Sequence, residues 1–316
     1  MLGIASINML ATEISSVTKE LSLLLPVTKE FDLSNPLVLS MFLSDSKFRD
    51  CLTICRFKHF EAKSEGKYAT VKSLENNNPK ALEKNYRVMA NSFKNNNNKN
   101  RALMSRRVDL LSKNAALQKT YSAQENPSIL LVGPRSEYEI FSMFGHGFDS
   151  VTAIDIFTYS NLINVMDLMK LDPSQNRYDI IVLGYVLPYL SDPAAAIKQV
   201  TNCLNLGGTL VIGSTRTKYS LDEWNKKESS GISQYTKVVF SNEDELCTFV
   251  ENSSENQLIE LSRSPQFVRA SQEGDLAKIS SNITCTFQKE PTGNFPYTSR
   301  RGKQVSLWKI DEFKNM

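Results

Sequence analysis

The stretch Ile129 to Asp155 constrains the fold more than any other part of the chain. An apolar run, Ile129-Leu130-Leu131-Val132, stops at Gly133-Pro134. Tyr138, Phe141, Met143 and Phe144 then recur at helical spacing, and Gly145-His146-Gly147 breaks that helix. A second apolar run, Val151 to Ile154, ends on Asp155. Strand, tight turn, helix, strand and acid is the order of a nucleotide-binding βαβ unit, in which the acid meets ribose hydroxyls.

The same alternation continues downstream. Tyr159 to Val165 reads as a short helix, with Asp167 in the loop beyond it. Tyr178 to Leu183 is a buried strand introduced by Asp179, followed by the loop Gly184 to Leu190. Asp192-Pro193 opens a helix, since Asp caps well and Pro suits the first turn. Ile197, Val200 and Leu204 line one face, and Gly207-Gly208 is placed to stop that helix before the strand Thr209 to Gly213. Residues 214 to 280 are polar and irregular, apart from a capping box at Ser220 with Glu223 and a helix opened by Ser241-Asn242-Glu243-Asp244 that carries Leu246, Phe249 and Val250. Ile283 to Phe287 and Gln304 to Ile310 read as an antiparallel terminal pair.

Upstream, residues 1 to 124 read as mainly helical. Ile7 to Leu21, Leu37 to Phe42, Phe48 to Phe57, Leu82 to Phe93 and Leu103 to Leu117 each carry a helical stripe best explained by core packing. Asparagine tracts at 76–78 and 95–98 separate some of them. The polar linker 122–127 puts a domain boundary near residue 125, giving regions 1–124 and 125–316. The first region could serve as a lid, a substrate-binding element or a dimerisation surface.

Composition narrows the partners. Net charge is only +3 over 316 residues, with no basic patch interleaved by aromatics, so no nucleic-acid partner is expected. No apolar run is long enough to span a membrane, and no basic segment precedes an apolar core at the N-terminus. A cytoplasmic location is the default expectation. The five cysteines are irregularly spaced; Cys51, Cys55 and His59 share a helix face but lack a fourth ligand, so no metal site is expected.

Taken in order, Ile129–Gly133, Asp155, Asp167, Tyr178–Leu190, Gly207–Gly208 and the following strand resemble the class I S-adenosylmethionine-dependent methyltransferases, over roughly residues 125 to 310. The resemblance implies an α/β fold with a Rossmann-like seven-stranded, mostly parallel sheet and an antiparallel terminal strand, preceded here by the helical region. It implies S-adenosylmethionine as cofactor. Gly133 matches the first glycine of the family's cofactor loop, while Arg135 and Glu137 stand where two further glycines are usual. Pro134 lies between. Arg135 is then suited to the methionine carboxylate and Glu137 to its amino group; on the residues alone, both also fit a surface turn with an acid at a helix N-terminus. Asp155 falls on the ribose-binding acid, with a helix-capping role through Phe157 or Thr158 as the plain reading. Ile156 falls on the apolar floor beneath the adenine, Asp167 on the acid beside the adenine amino group, and Leu168 on the residue whose amide meets the ring. Gly184 and Tyr185 fall where the family lines the methyl-transfer site, Tyr185 being equally at home in a core.

Methyl transfer from a sulfonium needs alignment above all, so no fixed catalytic residue is required. Tyr185 and Tyr189 are the catalytic candidates at the carboxyl edge, with Asp192, Arg216 and Tyr219 as further residues able to orient a substrate. His146 lies at the wrong end of the sheet, and His59 reaches the site only if the N-terminal region folds over it. The expected reaction is in-line transfer to a small-molecule acceptor of carbohydrate or natural-product type; the tetrapeptide expected for amino groups of bases is replaced by Gly184-Tyr185-Val186-Leu187. A homodimer is compatible with this reading. Two alternatives stay open on residues alone: a catalytically silent methyltransferase-like scaffold or partner subunit, and a nicotinamide-dependent dehydrogenase, whose pyrophosphate Arg135 and Glu137 would crowd.

Overall fold

A computed structural model describes residues 36–63, 72–73, 83, 86–87, 90, 93, 107–108, 111–118, 126–134, 136–227, 236–263 and 282–290. The elements are, in chain order, α1 (Pro36–Ser44), α2 (Ser46–Lys63), β1 (Lys72–Ser73), β2 (Ile129–Val132), α3 (Glu137–Gly145), β3 (Val151–Asp155), β4 (Phe157–Thr158), β5 (Asn164–Val165), β6 (Tyr178–Gly184), α4 (Pro193–Cys203), β7 (Leu204–Thr215), α5 (Leu221–Lys227), α6 (Glu243–Ser253), β8 (Leu258–Arg263) and β9 (Asn282–Lys289). Residues 111–118 are also helical. Seven strands form one sheet in the order β5-β3-β2-β6-β7-β9-β8. β5, β3, β2, β6 and β7 pair in parallel, and β9 runs antiparallel to both β7 and β8.

The apolar runs are continuous because both faces of this sheet are covered. Ile129, Leu131, Ile180, Val182 and Val211 point to one face, under α1, α2, α3 and residues 111–118. Leu130, Val132, Ile181, Leu183, Leu210 and Ile212 point to the other, under α4 and α6. Each such side chain contributes roughly 1.5–3 kcal/mol on burial. The helical stripes at Leu39, Phe42, Leu52, Leu111 and Ala115 belong to the first of these cores.

Asp179 fixes the register at the amino edge. One carboxylate oxygen accepts from the Ser128 amide and hydroxyl, both at 2.8 Å, and the other accepts from Asn205 at 2.8 Å. Three segments that enter neighbouring strands are therefore tied to one side chain.

Three expectations change. Residues 159–163 form bends rather than a helix, because Phe157–Thr158 is drawn out to pair with Lys72–Ser73 and Asn164–Val165 joins the sheet beside β3. Gly207-Gly208 does not stop α4, which gives way to strand already at Leu204. The two glycines form a bulge in β7: Tyr178 faces Leu204 and Ile180 faces Thr209. Gly207 has φ +74, and a Cβ on Gly208 would sit 2.8 Å from the Asn205 carbonyl. Finally, the partner of β9 is β8, from within the stretch read as irregular; with β7 on its other side, β9 has both edges occupied. Gln304 to Ile310, and the stripe Ile7 to Leu21, lie outside the described residues. No helix among the described residues is long and apolar enough to cross a membrane.

Candidate active site

The carboxyl ends of β2, β3, β5, β6 and β7 converge on one edge. There, β2 leaves the sheet through Gly133, whose amide donates to the Ile154 carbonyl at 2.9 Å. Gly133 has φ +71, and a Cβ on it would lie 2.7 Å from Val186. Both facts require glycine, and the second brings the loop after β2 against the loop after β6. Pro134 is buried; Arg135 lies outside the described residues. Ser136 then caps α3 in a capping box with Glu139.

Glu137, in the first turn of α3, is buried, and both carboxylate oxygens are engaged by the chain's own donors. Arg56 of α2 donates from Nε at 2.6 Å and from Nη2 at 2.8 Å, and the Ser160 hydroxyl donates as well. Burial works against the Arg56 charge, but the hydrogen bond and charge of Glu137 together overcome it and raise the guanidinium's pKa. Tyr159 closes the cluster from beneath Phe57 and Phe60. Burial first, and the Glu137 carboxylate second, push its phenol well above the ordinary value.

Asp155 ends β3 directly opposite Val165 of β5, so Asp167, two residues past Val165, follows at the same edge. Asp155 accepts from the Phe157 amide at 3.3 Å, a long contact, and its carbonyl accepts from Met166 at 2.9 Å. Asp167 caps the single 3-10 turn Leu168–Lys170 through the Met169 amide at 3.0 Å. Leu168 is buried, whereas Ile156, Met166 and Met169 are 41%, 37% and 40% exposed. Three large apolar side chains left open around two carboxylates make a surface that suits a flat heterocycle joined to a diol.

At the end of β6, Gly184 packs on Leu111 at 3.5 Å from its would-be Cβ. Tyr185 adopts φ 62, an uncommon conformation for a non-glycine residue. Its ring turns inward and lies over Gly213, where a Cβ would come within 2.9 Å of it. Arg107 lies over the ring, its guanidinium carbon 4.8 Å from the ring centroid. Burial raises the Tyr185 phenol's pKa; the Arg107 charge and Thr284 act against that rise. Tyr189, at the end of the 3-10 turn Leu187–Tyr189, is 45% exposed on the rim.

The other residues proposed from sequence to orient a substrate are engaged locally. Asp192 caps α4 through the Ala195 amide at 2.9 Å. Arg216 pairs with Glu243. Tyr219 packs near Trp224. His146 caps the C-terminus of α3 at the opposite edge, and His59 is exposed on α2. Thus Gly133, Pro134, Asp155, Ile156, Asp167, Leu168, Gly184 and Tyr185 share one edge with Glu137 and Tyr189. Sequence reasoning missed Arg56, Arg107, Tyr159 and Ser160, because the first two act across 81 and 175 positions and no local spacing marks them.

S-adenosylmethionine fits these residues on two observations: the open apolar rim around Asp155 and Asp167, and the bare Gly133 turn. Residues 97–253 match the family model described as a methyltransferase domain. No curated protein matches the chain. Among solved structures, the chain is similar to the N-methyltransferase NodS from Bradyrhizobium japonicum WM9 in complex with S-adenosyl-L-homocysteine, at 18% identity and TM-score 0.43, over 65% of this chain and 98% of that one. It is also similar to the 1,6-didemethyltoxoflavin-N1-methyltransferase from Burkholderia thailandensis, at 12% identity and TM-score 0.44, over 70% of this chain and 95% of that one.

Proposed function

Because the chain belongs to the class I S-adenosylmethionine-dependent methyltransferases, we propose that it methylates a small-molecule acceptor, of carbohydrate or natural-product type, at the edge between Gly133 and Tyr189. The observation that carries this reading is the pairing of Asp155 and Asp167 at adjoining strand ends with the exposed side chains of Ile156, Met166 and Met169. The cofactor, when bound, supplies a methyl group already activated by the sulfonium charge.

The chain's own residues bind and align. Asp155 accepts hydrogen bonds from the two ribose hydroxyls, which a carboxylate can do simultaneously. Asp167 accepts from the adenine amino group, and the Leu168 amide and Ile156 side chain meet the ring. Gly133 and Pro134 run along the methionine portion, and α3 presents its N-terminus there; Arg135 is the residue whose charge suits the methionine carboxylate. Glu137, buried with both carboxylate oxygens held by Arg56 and Ser160, anchors the first turn of α3 behind that portion. Gly184 and Tyr185 wall the transfer site, and Tyr189 stands where it can contact an acceptor. With alignment supplying most of the rate, an amine acceptor needs no base, whereas a hydroxyl acceptor must give its proton to a base or to solvent as the methyl is transferred.

Isothermal titration of the full chain with S-adenosylmethionine, followed by transfer of labelled methyl to a panel of sugars and hydroxylated or aminated heterocycles, tests this. Binding with labelled product is expected. Binding with no product from any small molecule, but labelling of an added protein or RNA, would replace the acceptor class.

A further inference from the structure

The cofactor acids occupy the β3–β5 half of the carboxyl edge. The other half, over β6, β7 and β9, holds a cation with most of its hydrogen-bonding capacity unused. Arg107 is half-buried. Its Nε donates to the Asn282 side chain at 2.9 Å, and its guanidinium lies over the Tyr185 ring. Both contacts are edge markers: Tyr185 follows the last residue of β6, and Asn282 opens β9 opposite Thr215, the last residue of β7. Among the described residues, neither terminal nitrogen of Arg107 has a protein acceptor, and no carboxylate pairs with it. Arg56, Arg216 and Arg263, by contrast, each hold a carboxylate.

A guanidinium so placed is a fork without its load. Asn282 and Tyr185 fix its position, so little freedom is lost when its two terminal nitrogens take up an oxyanion. The site lies beyond the transfer wall, away from Asp155 and Asp167, where an acceptor rather than a cofactor would rest. We propose that Arg107 anchors an anionic group of the acceptor, so that the substrates of this site are small molecules bearing a carboxylate or a phosphate. This rests on the methyltransferase reading. It narrows the acceptor class and makes Arg107 the residue that selects it.

The test uses the full chain saturated with S-adenosylhomocysteine and three probes of one shape: benzoate, phenyl phosphate and the neutral benzamide. Titration calorimetry should show at least one anion binding about tenfold or more tighter than benzamide, the difference expected of a charge-assisted hydrogen bond. The tighter anion distinguishes carboxylate from phosphate. Arg107→Met should abolish the preference and Arg107→Lys should retain part of it, with S-adenosylhomocysteine affinity unchanged in both. A preference that survives Arg107→Met overturns the proposal. So does failure of both anions to bind a wild-type chain that binds S-adenosylhomocysteine. Failure of the first titration, with S-adenosylhomocysteine alone, would instead overturn the reading beneath it.

Discussion

Arg56 of α2 and Glu137 of α3, 81 positions apart, meet in a two-pronged ion pair of 2.6 and 2.8 Å with Glu137 almost wholly enclosed. Removing one partner strands the other charge in a poorly solvated place, which costs about 3–5 kcal/mol. Arg56→Met is therefore expected to lower stability by roughly that amount in urea unfolding. Arg56→Met combined with Glu137→Gln should cost less than the sum of the single changes. Strict additivity would show that the pair is not energetically coupled.

Asp155 and Gly133 separate binding from folding. Asp155 accepts a long backbone contact from Phe157, and Asp155→Ala should cost about 0.5–1.5 kcal/mol in stability, the ordinary net worth of a hydrogen bond. Its affinity for S-adenosylmethionine should fall by about tenfold or more, through loss of hydrogen bonds to the ribose. Unchanged affinity would remove the ribose assignment.

Gly133→Ala should do the reverse of a mild change. The new methyl would meet Val186 and impose a left-handed backbone on alanine. A loss of about 1–3 kcal/mol is expected. Val186→Ala in the same chain should return part of it, since it removes the atom struck but not the φ penalty. Equal losses in both backgrounds would show that the backbone conformation alone requires glycine.

Buried phenols set an alkaline limit. Burial raises the pKa of Tyr159 most, and those of Tyr178 and Tyr185 in the same direction, from an ordinary value of 10.0. The folded chain thus keeps protons that the unfolded chain releases. Stability from these groups is complete below about pH 10 and is lost as pH rises toward the folded values. Chemical unfolding followed from pH 8 upward should show this decline, with a shallower slope in Tyr159→Phe. An identical slope in that variant would exclude Tyr159 as a contributor.

Asp179→Ala should release Ser128 and Asn205 together, leaving donors at the amino edge without their acceptor. About 1–3 kcal/mol is expected. Asp179→Asn, which keeps one acceptor, should recover part of the loss in the same unfolding assay.

The parts legible in the sequence were those governed by short spacings. The runs Ile129–Val132 and Tyr178–Leu183, the caps at Asp192 and Ser220, the helix start within 241–244, and the step from β3 to Asp155 all follow from neighbours in the chain. The misread parts were decided by partners far away. Residues 157–158 form strand because Lys72–Ser73 pairs with them, and Gly207-Gly208 bulges because β7 must step past Asp179 on β6. β8 alternates too weakly to announce itself, since Leu258 is the one buried residue of Leu258–Arg263. Tyr185 could be placed at the carboxyl edge from sequence; that its ring folds inward under Arg107 depends on Gly213, one strand away.

The N-terminal elements touch this edge at three separate points: Arg56 on Glu137, Lys72–Ser73 on Phe157–Thr158, and Arg107 on Tyr185. A chimera spliced at residue 125 would hence receive a carboxylate without its counter-ion, a ribbon missing half its pairs and an aromatic ring stripped of its cover. Exchanging the leading helices of this chain alone would leave those contacts unmatched; the recipient sheet would have to carry their counterparts at 137, 157–158 and 185.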